Sequence, residues 1–267
     1  MYISGWSASS SSSHYARTRN SAFLGAMLFL ACAPSYTRAQ APTVSNAEGT
    51  GIPDLIVALR HPKPETRADA RAALVKAGPK AVPALVAGIG SDRSREIMTQ
   101  ILREIGPRAV PELIVLLKSP ELRIRAGAAL FQVAGPGSAD QTPALLDCLH
   151  DPAVNNYCGT TMVKVMGPKA KGQVPRLRKA LKDSDTTVRL YAAAALGQIG
   201  PMAQEAVPGL IVMLQDPEPA VRLNAVQSLG KVGRGAREAI PALKLMRRDR
   251  NDVVKNAVKE ALKKIHG

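Results

Sequence analysis

Residues 167 to 200 read GPKAKGQVPRLRKALKDSDTTVRLYAAAALGQIG, and residues 200 to 233 read GPMAQEAVPGLIVMLQDPEPAVRLNAVQSLGKVG. Both stretches open with Gly-Pro, pass through Val-Pro into a short run, turn at an Asp, and continue through Val-Arg to Leu-Gly and a final Gly. Self-similarity at a fixed period of about 20 to 50 residues is typical of stacked repeat proteins. The chain is therefore expected to be an array of one structural unit.

Prolines and glycines recur at regular spacing through the whole chain from Ile52 onward. One proline per unit recurs at spacings of 30, 28, 32, 32, 33 and 33 residues, at Pro53, Pro83, Pro111, Pro143, Pro175, Pro208 and Pro241. Proline suits the first turn of a helix, and glycine suits a helix end. Each unit thus predicts a first helix that starts at its proline, a turn, and a second helix with a glycine cap, the caps being Gly78, Gly106, Gly135, Gly167, Gly200 and Gly233.

Composition and periodicity both favour helices. Hydrophobic residues make up 46% of the chain but aromatic residues only 3%, which favours packing through Ala, Leu, Val and Ile. In the sixth unit, apolar residues recur at helical spacing, as Leu210, Ile211 and Leu214 and then as Val221, Ala225, Leu229 and Val232. A hairpin with one apolar stripe per helix needs neighbours to cover it. The predicted fold is an all-α α-solenoid of about seven helical hairpins.

The pattern D-x-x-x-x-V-R-x-x-A-x-x-x-L-G-x-[IV]-G, at Asp183 to Gly200 and Asp216 to Gly233, resembles the short HEAT repeats of bacterial proteins and phycobilin lyases. The resemblance covers residues 52 to 267. It implies a right-handed superhelix whose second helices line a concave surface, and a scaffold or binding platform more often than an enzyme. The expected units are 52 to 78, 79 to 106, 107 to 135, 136 to 167, 168 to 200, 201 to 233 and 234 to 267.

A polar position recurs seven residues before the second-helix Leu or its equivalent. It holds Arg67, Arg95, Arg123, Asn156, Arg189, Arg222 and Lys255. One interpretation is a structural ladder, in which each side chain binds an Asp or a turn carbonyl of an adjacent unit, as is common in HEAT arrays. The other is a basic stripe that binds a ligand.

Candidate contact residues lie two, five and nine positions beyond that ladder residue, where a side chain should point away from the core. In the fifth and sixth units these include Tyr191, Gln198, Asn224, Gln227 and Lys231. Tyr191 is either a contact anchor or a packing residue against the next helix. The last unit adds ten Lys and Arg residues against four acids, among them Arg247 and Arg248, which either cap the array or bind an anion.

The fourth unit departs from the pattern. Asn155 and Asn156 replace the Val-Arg pair, and Gly159 takes the small core position. Cys148 and Cys158 lie ten residues apart across the expected turn. In an exported protein they could form a disulfide or stay as buried thiols. This unit is also the expected place for a bend in the solenoid.

The first residues resemble an export signal. Arg17 and Arg19 precede the apolar run SAFLGAMLFLA at residues 21 to 31, which is too short to span a membrane. Residues 1 to 39 are expected to be a signal peptide and residues 40 to 51 a flexible leader. Cleavage before Gln40 by signal peptidase competes with a lipobox that would place a lipid anchor on Cys32. Either interpretation predicts an exported protein of the periplasm or cell envelope, without a transmembrane span.

Motifs for chemistry are missing from the sequence. His61, His150 and His266 stand apart, so no zinc site and no cofactor are expected, and the His-Glu pairs of deoxyhypusine hydroxylase, a HEAT enzyme, are absent. The net charge of +15 includes three arginines before residue 41, which leaves +12 on the rest. We expect a non-enzymatic module that binds a protein partner on its concave face. The alternative is a polyanion binder, with nucleic acid disfavoured because aromatic residues are few.

Overall fold

Seven helical hairpins follow one another in a computed structural model of the chain, which describes residues 51–90 and 92–267. No strand forms in this part. The odd-numbered first helices, called A helices, and the even-numbered second helices, called B helices, are α1 Ile52–Ala58, α2 Pro64–Ala77, α3 Val82–Ala87, α4 Asp92–Ile105, α5 Val110–Leu116, α6 Arg123–Val133, α7 Thr142–Cys148, α8 Asn155–Val165, α9 Val174–Ala180, α10 Thr186–Ile199, α11 Val207–Met213, α12 Pro219–Val232, α13 Ile240–Leu245 and α14 Asp252–His266. The predicted solenoid of seven HEAT-like hairpins is confirmed.

Six of the seven A helices begin with Ile or Val followed by proline, and α7 begins with Thr142 followed by proline. The predicted prolines all stand at the second position of an A helix, where a backbone N–H has no partner within the helix. Short 3₁₀ segments, such as Gly200–Ala206, lead from each B helix into the next A helix. The A helices have only six or seven residues, so they depend on the B helices for their stability.

The core runs between the two rows of helices. In the sixth unit Leu210, Leu214, Val221, Ala225 and Leu229 are buried, as the helical spacing predicts. Each B helix packs against the B helices of its neighbours, as α10 does against α8 and α12. The B helices therefore form one continuous layer.

Glycine caps follow the expected pattern in four of six cases. Gly78, Gly106, Gly200 and Gly233 have φ between 61° and 69°, a region where a side chain is strained. The prediction is wrong at Gly135 and Gly167, where α6 and α8 end earlier, at Val133 and Val165. There the chain is extended, with φ of −139° at Gly135 and −173° at Gly167.

Units three and four have shorter B helices than unit five, because the turn between the two helices of each unit is shorter. Nine positions separate the buried Leu145 of α7 from the buried Val154 in unit four, whereas eleven separate Leu177 from Val188 in unit five. As a result α6 and α8 have 11 residues, against 14 in α10. The shorter turn also corrects the ladder register in unit four. Burial aligns Val154 with Val188, so Asn155 and not Asn156 is the counterpart of Arg189.

The ladder residues of units five and six bridge consecutive turns. Arg189 donates to Asp216 of the next unit through Nε (2.7 Å to Oδ2) and Nη2 (3.3 Å to Oδ1). Its Nη1 donates to the carbonyls of Asp183 and Ser184 in its own turn, at 3.0 and 2.9 Å. Arg222 repeats the arrangement with Asp249, at 2.8 and 3.1 Å. Each guanidinium therefore holds its own turn and the turn that follows.

Three other ladder residues make contacts of a different kind. Arg123 reaches Asp151 at 3.3 Å, and Arg67 donates to its own turn carbonyls at His61 and Pro62. Lys255 pairs with Asp252 of its own helix at 2.5 Å, and Arg95 lies on the surface of α4. Arg189 and Arg222 thus each form a fork, in which one guanidinium makes two hydrogen bonds to the Asp of the next turn.

The carboxylates of this ladder predict an acid-sensitive stability. Burial alone would raise the pKa of Asp216, but hydrogen bonds from Arg189 and from the Glu218 N–H outweigh it and lower the pKa. For Asp249 the hydrogen bond from Arg222 is the main cause of a lowered pKa. A carboxyl whose pKa is lower in the folded state stabilises that state above the unfolded value of about 3.9, and this is lost as pH falls through the folded pKa.

We therefore expect the melting temperature to fall steeply below about pH 4. The measurement is circular dichroism melting from neutral pH downward, for the wild type and for Asp216→Asn with Asp249→Asn. The double variant should melt lower at neutral pH and depend less on pH in the acid range. An equal acid response in both proteins would contradict a role for these two carboxyls.

Candidate functional site

The candidate contact residues share the exposed side of the B-helix layer, called here the B-helix face. Gln198 of α10 and Gln227 and Lys231 of α12 are exposed, whereas Tyr191 and Asn224 are half-buried. These residues stand two, five or nine positions after Arg189 or Arg222, as expected for side chains that leave the core. The face therefore runs across several successive B helices.

Groove one, a depression of about 510 Å³, crosses this face from α6 to α12. Three of the sequence-predicted contact residues, Tyr191, Gln198 and Asn224, line it together. The remaining lining residues are Phe131, Thr160, Val163, Lys164, Met166, Leu190 and Ala194. Aromatic, aliphatic and amide groups thus meet in one concave surface, which is the usual character of a binding groove.

Tyr191 both packs and lines the groove. Its ring lies over Gly159 of α8 so closely that a Cβ at Gly159 would be 2.2 Å from Cε2. Its hydroxyl donates to Asn156 Oδ1 at 2.7 Å, and burial raises the pKa of Tyr191. Gly159 was predicted to fill the small core position, but Cys158 fills it and Gly159 instead makes room for the tyrosine ring. Tyr157 covers Gly127 in the same way one unit earlier.

Phe131 and Lys164 also line groove one, although they are not among the contact residues predicted from the sequence. Phe131 is 38% exposed, and the Lys164 ammonium lies 4.9 Å from its ring centroid, within the range of a cation–π contact. Lys164 Nζ also donates to the Phe131 carbonyl at 2.6 Å. The pair links α6 to α8 at the edge of groove one.

Groove two, of about 550 Å³, lies on the same face between α4 and α6. Arg103 donates to Gln132 at 2.6 Å, and Arg125 donates to the Ala87 carbonyl at 3.2 Å. Ile124, which is 51% exposed, lines the same groove. The other lining residues are Ile89, Gly90, Arg95, Glu96, Thr99, Ala128 and Ala129. Groove two is thus a basic groove with an apolar patch.

The sequence held a signal for groove two. The offsets of two, five and nine positions, counted from Arg123, lead to Arg125, Ala128 and Gln132, and all three line the groove. The offsets identify positions that leave the core in every unit.

The remaining basic candidates lie elsewhere. Arg247 and Arg248 are exposed in the 3₁₀ segment Met246–Arg248, between α13 and α14. Neither lines groove one or groove two. Arg247 and Arg248 therefore form a surface separate from both grooves.

Unit four has a disulfide between its two helices and lacks an arginine fork of the kind that Arg189 and Arg222 form. Cys148, the last residue of α7, and Cys158 in α8 form a disulfide with a Cα–Cα distance of 6.1 Å, which closes the short turn between them. Asn155 is too short to reach the next turn as Arg189 does. His150 Nε2 instead lies 3.5 Å from Asp183 Oδ1 of the next unit.

The disulfide predicts a specific thiol count. In the full chain with Cys32→Ser, denaturation without reductant should expose no reactive thiol, and reduction should then release two. Titration with a thiol reagent in denaturant gives this number. Two thiols before reduction would show that Cys148 and Cys158 remain free.

Two further properties concern only the described residues. No group of three or more His, Cys, Asp or Glu side chains in residues 51–90 and 92–267 could hold a metal ion. Within the same ranges, no helix is long and apolar enough to cross a membrane. The expected signal peptide and the lipid anchor at Cys32 lie outside the described residues.

Comparisons with known proteins agree with this fold. The HEAT repeat family model matches residues 174–263. An archaeal HEAT-like repeats protein from Thermococcus onnurineus NA1 aligns with a TM-score of 0.51 and 12% identity over 81% of this chain and 97% of that chain. A designed armadillo repeat protein, solved in complex with the peptide (KR)4, aligns with a TM-score of 0.50 and 20% identity over 81% of this chain and 100% of that chain.

A more distant similarity is to the complex of CpcE and CpcF of phycocyanin lyase from Nostoc sp. PCC7120. It has a TM-score of 0.41 and 19% identity over 68% of this chain and 98% of that chain, and nothing about the chemistry of this chain follows from it. No curated protein sequence matches the chain significantly. The chain is a HEAT-like α-solenoid, a fold typical of protein-interaction scaffolds.

Proposed function

We propose that this solenoid is a non-enzymatic scaffold that binds a protein partner on its B-helix face. The observation that carries the proposal is groove one, which gathers exposed and half-buried side chains of four successive B helices into one surface. Phe131 and Tyr191 offer aromatic area, while Gln198 and Asn224 offer hydrogen bonds that suit a polypeptide. Groove two extends the same face across α4 and α6, so an elongated partner has a continuous path.

Site-specific crosslinking tests this proposal in cells. A photoreactive residue at Gln198, which lies in groove one, should crosslink to a discrete protein. The same residue at Val212, which is 64% exposed on α11, provides a matched control on the other layer. We expect crosslinks at position 198 that are lost with Asn224→Arg and absent at position 212. Equal products at both positions would reject the B-helix face as the binding surface.

The scaffold is further proposed to work outside the cytoplasm, in the periplasm or cell envelope. The basis is the expected signal peptide at residues 1 to 39 and, in the competing interpretation, lipidation at Cys32. Mass spectrometry of the mature N-terminus distinguishes the two, because cleavage before Gln40 and a lipid-bearing Cys32 differ in mass. A protein that keeps Met1 to Gln40 intact would reject export by either route.

A second candidate function is polyanion binding by the last unit. It is favoured by Lys244, Arg247, Arg248 and Arg250, which are all exposed around one turn. A complex of this kind weakens steeply as salt rises, because binding releases counterions. A labelled single-stranded oligonucleotide titrated at low and high salt tests it. This candidate function would be rejected if the affinity for the oligonucleotide did not depend on salt. It would also be rejected if the affinity were unchanged in the double variant Arg247→Gln with Arg248→Gln.

A further inference from the structure

Groove two carries arginines whose charge is not neutralised within the described part of the chain. Arg103 and Arg125 contact only an amide oxygen and a backbone carbonyl, at 2.6 and 3.2 Å. Two other arginines that bridge helices or turns bind carboxylates, Arg71 at Glu104 and Arg189 at Asp216. A guanidinium has five N–H donors, so most donors of Arg103 and Arg125 stay available to a ligand.

The charges around groove two favour an anion. Apart from Arg95, its charged lining residues are Arg103, Arg125 and one acid, Glu96, so positive charge exceeds negative charge there. Gln100 Nε2 lies 3.4 Å from Glu96 Oε1, so this carboxylate interacts along its own helix. The neighbouring Glu104 is paired with Arg71. Carboxylates are the natural complement of the remaining guanidinium forks.

Groove two also has an apolar contact surface. Ile124 is 51% exposed, and Ala128 lies one turn further along α6. Removing exposed apolar surface of this kind from water is favourable in free energy, so an apolar side chain that covers it would stabilise the complex. A polysaccharide or a nucleic acid backbone would leave Ile124 uncovered, whereas a polypeptide that alternates acidic and aliphatic residues would satisfy both parts of the groove.

We propose that groove two binds an acidic protein segment, with its carboxylates at Arg103 and Arg125 and an aliphatic side chain against Ile124. The inference rests on the proposed scaffold function and names the chemistry of the partner. Groove one begins at Phe131 on α6, the helix that also carries Ile124 and Arg125, so one segment can continue from groove two into groove one.

Peptide binding to the full chain tests the proposal. The probe is a fluorescein-labelled EELEELEELEEL peptide, followed by fluorescence anisotropy, with EESEESEESEES and KKLKKLKKLKKL as comparison peptides. Arg103→Gln with Arg125→Gln should weaken the EEL peptide by at least about tenfold, since two charge-assisted contacts are lost. Arg247→Gln with Arg248→Gln removes the same charge from unit seven and should change affinity by less than about twofold.

A separate substitution tests the apolar contact at Ile124. Ile124→Ser should weaken the EEL peptide several-fold and leave the weaker EES peptide unchanged, because only the first has a side chain for this contact. The exposed positions of Arg103, Arg125 and Ile124 allow all these variants to fold, and circular dichroism checks that they do.

Several outcomes would overturn the proposal. These are no binding of the EEL peptide, equal binding of the KKL or EES peptide, and equal losses in the two double-arginine variants. The last result would show a general field of positive charge. Crosslinking at Gln198 tests the scaffold function independently, because Gln198 lies in groove one and not in groove two.

Discussion

Arg189→Ala is expected to lower the free energy of unfolding by about 3 to 4 kcal/mol, because it leaves a buried carboxylate without its cation. The side chains of Arg189 and Asp216 are only 12% and 3% exposed, so water replaces little of the lost contact. The variant also frees the carbonyls of Asp183 and Ser184, to which Arg189 Nη1 donates. One substitution thus loosens two consecutive turns.

Thermal melting and urea unfolding measure the effect, with Arg178→Ala as the matched control. Arg178 is exposed on α9, and its replacement should change stability by less than about 0.5 kcal/mol. Hydrogen exchange should show faster opening at the first turns of α10 and α12. An unchanged melting temperature together with weaker ligand binding would instead support the interpretation of a basic stripe.

Gly230→Val is expected to destabilise the array by about 2 to 3 kcal/mol through the contact of α12 with α14. A Cβ at Gly230 would lie 2.9 Å from the Ala261 Cα and 3.1 Å from its Cβ, so the backbones of the two helices would have to separate. Valine gains helix propensity over glycine, but by less than about 1 kcal/mol, which does not offset the lost packing.

The control for Gly230→Val is Ala220→Val, an exposed position in the same helix. It tests the cost of a β-branched residue without a steric clash and should be nearly neutral. Limited proteolysis should cleave α14 faster in the Gly230 variant, because α14 loses its neighbour. Equal stability of both variants would mean that α12 and α14 can move apart without cost.

Local patterns predicted the array itself because proline, glycine and helical spacing act within one hairpin. The seven prolines and the core of unit six lie where the sequence placed them. The later starts of α6 and α8 were not predicted, because a turn two residues shorter leaves the spacing of the prolines and glycines almost unchanged.

Contacts between units were harder to predict. The ring of Tyr191 lies over Gly159, 32 positions earlier, and only the approach of α8 to α10 shows that the glycine serves the tyrosine. Groove residues such as Phe131 and Lys164 come from different B helices, so no single repeat contains the pattern. The roles of Tyr191, Gln198 and Asn224 in binding stay predictions, although the structure brings these residues together in groove one.

The missing fork of unit four has a mechanical consequence. A stack of hairpins bends most easily where neighbouring units share the fewest contacts. Units five to seven are cross-linked by the forks of Arg189 and Arg222. Units four and five are joined instead by His150 near Asp183 and by the Tyr191 hydroxyl on Asn156. Groove one spans this joint. A partner bound there would therefore stiffen a joint that has no arginine fork.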